Sequence, residues 1–114
     1  MTSALQTEPD DDNDLAARYR TVCSSIRKTE QQFGRVTDSV TLVAVSKTRP
    51  ADDIRALSTL GHRNFAENKI QEAMSKINQL TDITDLCWHF IGSIQSNKCR
   101  DIAHHFDWVH SVDR

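Results

Sequence analysis

The chain has 114 residues, a formal net charge of −2 and a hydrophobic fraction of 38%, which suffices for one domain with a single core. No apolar run approaches the ~20 residues of a membrane-spanning helix, and the basic residues are scattered rather than gathered into a nucleic-acid-binding stripe. We therefore expect neither a membrane nor a nucleic-acid partner. Three widely spaced cysteines, Cys23, Cys87 and Cys99, argue against a disulfide framework and favour the reducing cytoplasm.

The first 14 residues differ from the rest in charge, since they hold five acidic side chains and no basic one. We predict a disordered acidic leader over residues 1–14 and a single domain over residues 15–114. That domain begins with a helix over residues 15–33, in which apolar side chains recur at helical intervals. Asp14 is the expected N-cap of this helix, and Gly34 is its expected C-terminal stop.

After this helix, strand and helix patterns alternate along the chain. β-branched residues predict a buried strand over 39–47, and Pro50 opens a helix that stops at Gly61. Further strands are predicted over 63–68, 86–92 and 107–113, separated by helices over 69–81 and 95–106. One face of the helix over 69–81 is apolar, with Ile70, Ala73, Met74 and Ile77. This alternation predicts parallel strands joined by right-handed crossovers.

Two folds share this alternation, the open doubly wound sheet and the β/α barrel. Neither glycine-rich phosphate-binding motif occurs, and the chain has only three glycines, so the first fold loses its main support. We therefore predict an α/β fold of parallel β/α units from a TIM-type (β/α)₈ barrel, about four units or half a barrel, preceded by the N-terminal helix. Because a half barrel leaves its outer strands unpaired, we expect a truncated piece of a longer protein. Self-pairing of two copies and an open four-stranded sheet are the alternatives.

Four segments carry a resemblance to a known family: VAVSKTRP at 43–50, NFAENKIQE at 64–72, WHFIGSIQSNK at 88–98 and FDWVHSVDR at 106–114. In order and spacing they resemble the pyridoxal-phosphate homeostasis proteins, β/α barrels related to the barrel domain of alanine racemase. The resemblance runs from about residue 15 to the last residue. It implies a cytoplasmic, monomeric protein that holds pyridoxal 5′-phosphate (PLP) as a Schiff base on Lys47. It further implies a role in intracellular PLP homeostasis without robust catalysis, with PLP-requiring apoenzymes as recipients.

Two departures from the family pattern bear on this expectation. Arg49 stands where family members often carry a lysine. The family also continues through four more β/α units, which supply the phosphate cradle of the cofactor and an arginine facing its pyridine nitrogen. The resemblance therefore predicts the covalent anchor in these 114 residues and leaves the phosphate cradle outside them.

The expected anchor lies where a buried strand gives way to a loop. Strand alternation places Val43, Val45 and Lys47 on one face and Ala44 and Ser46 on the other. A Schiff base forms from the neutral amine, so a nearby Arg49 would favour that form of Lys47 or pair with an anionic ligand. Without the resemblance, the pattern equally fits a strand-end lysine whose ammonium reaches solvent.

Three further residues are candidates for contacts with the cofactor. Asn68 follows the second strand, where it could also cap the next helix, while its neighbour Glu67 is expected to face the helices in a structural pair. His89 lies in a strand buried on both faces, where it would be near the cofactor, orient Asn68 or make an ordinary core hydrogen bond. Ser111 ends the last strand and could contact the cofactor or a water. Neither Cys87–His89 nor His104–His105 has the spacing of a metal site.

Two other functions stay open at this stage. One is a PLP-dependent amino-acid racemase of the alanine-racemase type, which needs acid–base groups on both faces of the cofactor. The only tyrosine, Tyr19, lies in the N-terminal helix rather than at a strand end, which counts against this function. The other is an inert half-barrel module that binds nothing well because it lacks the phosphate cradle.

Overall fold

The computed structural model describes residues 11–110, with side chains from Asp14 onward. The helices are α1 (Asp11–Gln32), α2 (Ala51–Thr59), α3 (Ile70–Gln79) and α4 (Cys99–His105), the last preceded by a 3₁₀ turn at Ser96–Lys98. The strands are β1 (Ala44–Val45), β2 (Asn64–Glu67), β3 (Cys87–Phe90) and β4 (Trp108–Val109). The chain forms two compact units, one up to Leu42 and the other from Val43.

The first unit contains α1 and the turns that follow it. The helix begins at Asp11, so the predicted start was four residues late, and Asp14 lies inside the helix, 3.3 Å from Arg18, rather than capping it. After the helix, the Glu30 carboxylate accepts the backbone N–H groups of Asp38 and Val40 at 3.1 and 2.8 Å. These bonds satisfy amides that a short turn would otherwise leave unpaired. Residues 1–10 of the predicted leader lie outside the described residues.

The second unit is built on a parallel sheet in the order β1-β2-β3-β4. A doubly wound sheet reverses its strand order at a switch point, whereas consecutive units of a β/α barrel keep sequence order around the sheet. The observed order therefore confirms the prediction of β/α units of the barrel type, of which the described residues contain three and the strand of a fourth. None of the helices within residues 11–110 is long and apolar enough to cross a membrane.

The outer strands are shorter than predicted. β1 covers two of the nine residues expected, since only Ala44 and Val45 have partners in β2, at Phe65 and Ala66. The reason is that β2 itself begins only at Asn64, so the preceding residues of the predicted strand have little to pair with. The inner strands β2 and β3 agree with their predicted positions and pair over four residues each.

The core lies between one face of the sheet and the helices. Phe90 packs with Ile70 of α3 and Ile102 of α4, and its ring meets Phe106 edge-on at 5.3 Å. On the same face of the sheet, Phe65 and Trp88 are also buried.

The buried face of α3 differs from the predicted one. Ile70 and Ala73 are buried as expected, but Lys76 is buried with them, while Met74 and Ile77 are only half-buried. The buried face of α3 thus includes a lysine that the apolar pattern of the helix predicted to be exposed to solvent. That lysine has buried partners, which belong to the candidate site.

Candidate functional site

The carboxyl ends of the four parallel strands meet at one edge of the sheet. The register pairs Val45 with Ala66, Ala66 with His89 and His89 with Trp108, so these four residues form one row across the sheet. Their side chains lie opposite the helix-packed face, and Val45 and Trp108 at the two ends of the row are 53% and 57% exposed. We call this side of the sheet the open face.

Lys47 lies two residues beyond Val45, in the turn that follows β1. Continuation of the β1–β2 register places it level with Asn68. Its side chain is exposed, whereas the neighbouring Ser46 is buried on the helix side. Ser46 therefore lies on the helix side as predicted, and the position of Lys47 on the open face stays a prediction. An exposed amine at this edge is accessible to an aldehyde in solution.

Lys47 lies in a tight turn that connects β1 to α2. The Arg49 N–H donates to the Ser46 carbonyl at 3.0 Å and closes the turn, and Pro50 precedes the first residue of α2 in an extended conformation. Thr48 has φ = 63°, in the left-handed region that β-branched residues seldom adopt. The Arg49 guanidinium reaches forward to Asp53, with nitrogen–oxygen distances of 2.7 and 2.8 Å, and so is paired within α2.

Next to this turn lies a group of charges, of which Glu67 and Lys76 are buried and Glu72 is partly exposed. We call Glu67, Glu72 and Lys76 the carboxylate–lysine network. Lys76 Nζ donates to Glu67 Oε2 at 2.8 Å and to Glu72 Oε2 at 2.9 Å. Glu67 is fully buried and also accepts the Ser46 hydroxyl, as expected for a residue facing the helices. The hydrogen bond from Lys76 lowers the pKa of Glu72, and the Thr48 amide lowers it further.

Sequence reasoning missed two members of this network, Glu72 and Lys76. A signal was present, because the two residues are four apart on a helix with the acid first, the favourable order for an ion pair. Lys76 is also three residues after the buried Ala73, which places both on one side of α3. The apolar pattern alone predicted that Ile77, rather than Lys76, is the buried residue in this turn of α3.

Asn68 lies directly after β2 with its backbone close to another chain segment. A Cβ added at Gly92 would come within 2.5 Å of the Asn68 carbonyl oxygen, so only glycine allows this approach. The predicted capping role of Asn68 is wrong, since α3 begins at Ile70 with Lys69 as an N-cap that makes no side-chain capping bond.

A cavity of about 290 Å³ lies beside Asn68, between the junction of β2 with α3 and the loop after β3. Its lining combines apolar side chains with amides, a hydroxyl and two lysines: Asn68, Lys69, Ile70, Gln71, Phe90, Ser93, Gln95 and Lys98. Within residues 14–110 neither lysine ammonium is in an ion pair. The cavity therefore has basic and uncharged hydrogen-bonding groups at the same edge of the sheet as Lys47.

His89 lies one row below Lys47 on the open face and is 4% exposed. Its Nε2 is 2.9 Å from Asn64 Oδ1 and its Nδ1 is 2.8 Å from Nε2 of His110. Burial lowers the pKa of His89, and the neighbouring His110 lowers it further. A neutral imidazole with its proton on Nε2 donates to Asn64 and accepts from His110, which satisfies both contacts. His89 thus orients Asn64 rather than Asn68.

The five predicted site residues are therefore only partly brought together. Lys47 and Asn68 share the sheet edge, and His89 lies one row deeper on the same face. Arg49 is adjacent to Lys47 in sequence but is paired with Asp53. Ser111 lies outside the described residues.

Comparison with curated proteins finds relatives that share one name. No protein-family model matches the chain. The pyridoxal phosphate homeostasis protein of Pseudomonas aeruginosa is 51% identical over 100 residues, which are 88% of this chain and 43% of that protein. The protein of the same name from Escherichia coli K12 is 44% identical over 104 residues, which are 90% of this chain and 44% of that protein.

Solved structures agree with the sequence matches. PipY of Synechococcus elongatus, in the structure with PLP bound, is 48% identical with a TM-score of 0.66, and the match covers 75% of this chain and 41% of PipY. An unknown protein from Bifidobacterium adolescentis is 28% identical with a TM-score of 0.77 over 95% of this chain and 49% of that one. The chain spans somewhat less than half the length of the curated relatives it matches. Over that part, the chain is a homologue of the pyridoxal phosphate homeostasis proteins.

Proposed function

We propose that this chain binds PLP through a Schiff base on Lys47, as part of a cytoplasmic protein of PLP homeostasis that does not turn over amino acids. The observation that carries the proposal is the position of Lys47. Lys47 follows β1 at the carboxyl edge of the parallel sheet, and its side chain is exposed. In barrels of this type, this edge is the one that holds ligands.

The chemistry of the surrounding residues supports the same ligand. Bound PLP would supply an aldehyde for Lys47 and an anionic phosphate. Lys69 and Lys98 line the adjacent cavity and supply positive charge near that edge. Arg49 can contribute only by leaving Asp53, and because this pair is half-exposed, its loss costs about 0–1 kcal/mol.

The remaining candidates have supporting roles in the proposal. Asn68 offers its amide to the ligand at the level of Lys47. His89 is held by Asn64 and His110, so it would define the floor of the site rather than exchange a proton with the ligand. Ser111 follows His110 in the sequence, and we propose that its hydroxyl completes the site. Recipient apoenzymes would obtain PLP from Lys47 by exchange of one amine for another at the cofactor aldehyde.

Borohydride trapping tests the proposal directly. PLP is added to the full chain, the visible absorption spectrum is recorded, and the adduct is reduced and located by peptide mapping. We expect one reduced pyridoxyl group on Lys47 and its absence in Lys47→Ala. Lys28→Ala is the matched control, since this exposed lysine belongs to α1 and not to the sheet edge, and its loss should leave the Lys47 adduct intact.

Diffuse labelling of many lysines, equal in wild type and Lys47→Ala, would refute the proposal. Turnover is tested separately by incubating the PLP-treated chain with L-alanine in deuterated water. We expect no exchange of the α-proton. Steady exchange that disappears in Lys47→Ala would show an enzyme of the racemase class instead.

A further inference from the structure

We propose that Glu72, backed by Lys76, is a positioning residue for Lys47 that sets the direction in which its amine leaves the sheet edge. This inference rests on the proposed function, since it assigns Glu72 a role in capture of PLP by that amine. Glu72 would not contact the ligand. It acts through the backbone of the turn that contains Lys47.

Ser46, the residue before Lys47, is held in place by several hydrogen bonds. Its carbonyl accepts two hydrogen bonds, from Lys76 Nζ at 2.6 Å and from the Arg49 N–H at 3.0 Å. Its own N–H donates to the Ala66 carbonyl at 2.9 Å, and its hydroxyl donates to Glu67. Every polar group of Ser46 is therefore bonded, which fixes the end of β1.

Thr48, the residue after Lys47, is held by Glu72. Its N–H donates to Glu72 Oε2 at 2.6 Å, and the same oxygen accepts from Lys76 Nζ at 2.9 Å. The left-handed backbone of Thr48 is unfavourable for a β-branched residue and persists only where surrounding contacts impose it. A short, charge-assisted bond to its N–H is such a contact.

Together these contacts hold Lys47 from both sides. Ser46 and Thr48 are tied to the same ammonium and its partner carboxylates on the helix side of the sheet. The side chain of Lys47 is exposed, so the network does not cover its amine. The backbone direction at Lys47 is thereby fixed while the side chain stays accessible, which is what selective capture of an aldehyde at one of several exposed lysines requires.

Glu72 is the member of the network best suited to substitution. Its side chain is 30% exposed, against 0% for Glu67, and it lies on a helix, where alanine is well tolerated. Glu72→Ala removes the acceptor for the Thr48 N–H. Glu72→Gln keeps an acceptor oxygen and loses only the charge. Asp82→Ala is the matched control, since it removes a carboxylate that is paired with Arg55 rather than with the Lys47 turn.

The experiment measures two quantities on the full chain of each variant. The first, without PLP, is the hydrogen-exchange rate of the Thr48 amide, with acetylation of Lys47 by acetic anhydride as a measure of amine accessibility. The second is the rate of PLP capture on Lys47, trapped by borohydride. We expect Glu72→Ala to exchange the Thr48 amide faster and to capture PLP on Lys47 roughly tenfold more slowly, with acetylation unchanged. Glu72→Gln and Asp82→Ala should stay close to wild type.

Two outcomes overturn the inference and can be told apart from failure of the proposed function. If wild type captures PLP on Lys47 and Glu72→Ala does so equally fast, Glu72 has at most a structural role. If the Thr48 amide exchanges at the wild-type rate in Glu72→Ala, the turn is held by other contacts. If wild type itself captures no PLP on Lys47, the proposed function fails, and the inference that depends on it fails too.

Discussion

The carboxylate–lysine network predicts a large loss of stability when its cation is removed. Lys76 is 6% exposed and Glu67 is fully buried. One oxygen of Glu67, Oε1, already has no hydrogen-bond partner within the described residues. In Lys76→Met the other oxygen keeps only the Ser46 hydroxyl, so a buried carboxylate is left without its counter-charge. Breaking such a pair by removal of one partner costs about 3–5 kcal/mol, a large fraction of the ~5–15 kcal/mol typical for a domain.

A double variant separates this charge effect from simple loss of packing. Lys76→Met combined with Glu67→Leu removes both charges and keeps the side-chain volume, and replacement of a whole buried pair by apolar residues is often close to neutral. We therefore expect the double variant to be more stable than Lys76→Met alone. Arg55→Met is the matched control, because its ion pair with Asp82 is 43% and 63% exposed, and breaking it should cost about 0–1 kcal/mol.

Urea unfolding followed by tryptophan fluorescence, to which Trp88 and Trp108 both contribute, measures these differences. With a slope of about 1–1.5 kcal/mol per molar urea for a chain of this size, the loss in Lys76→Met moves the midpoint down by about 2–5 M. The reasoning would be refuted if the midpoint of Lys76→Met fell no further than that of Arg55→Met, or if the double variant were less stable than the single one.

Two further predictions concern the carboxyl edge of the sheet and a buried histidine. Gly92→Ala should lower the free energy of unfolding by about 1–3 kcal/mol, because the new Cβ would meet the Asn68 carbonyl oxygen at 2.5 Å; Ser93→Ala, at an exposed position, should leave the urea midpoint unchanged. Burial lowers the pKa of His62 below its ordinary value, so its contribution to stability is present above pH 6.5 or so and is lost as the pH falls through the lower folded pKa. The urea midpoint should therefore drop less between pH 7.5 and 5.5 in His62→Gln than in wild type or in His104→Gln, and equal drops would contradict the assignment.

The order of elements and the fold class could be predicted from the sequence because they depend on local patterns. Strands of β-branched and aromatic residues alternate with helices about ten residues long, and only a few folds accommodate that alternation. The ends of elements were predicted less well where a neighbour decides them. Ala44 and Val45 count as a strand only because Phe65 and Ala66 lie beside them, and no window of the sequence around β1 contains that information.

The candidate site, too, could be predicted only where it depends on local sequence and not on a neighbouring element. The position of Lys47 and its separation from Ser46 came from strand alternation, which is a property of the backbone. The partners of His89 could not be predicted, because Asn64 and His110 come from two different neighbouring strands. Lys76 was missed for a related reason: a lysine on an apolar helix face appears unfavourable until a carboxylate from another element, Glu67, compensates its charge.

The segment from Asn64 to Glu72 connects the two parts of the candidate site, the open face and the carboxylate–lysine network. In β2, Asn64 points to the open face and binds His89, while Glu67 points to the helices and binds Lys76. Since side chains alternate along a strand, a shift of β2 by one residue would exchange the two faces. Glu67 would then lie on the open face and Lys76 would lose its buried partner, so the turn at Lys47 and the His89 contact would be disrupted together. The register of this one strand thus determines both the side chains of the open face and the network that holds the backbone on either side of Lys47.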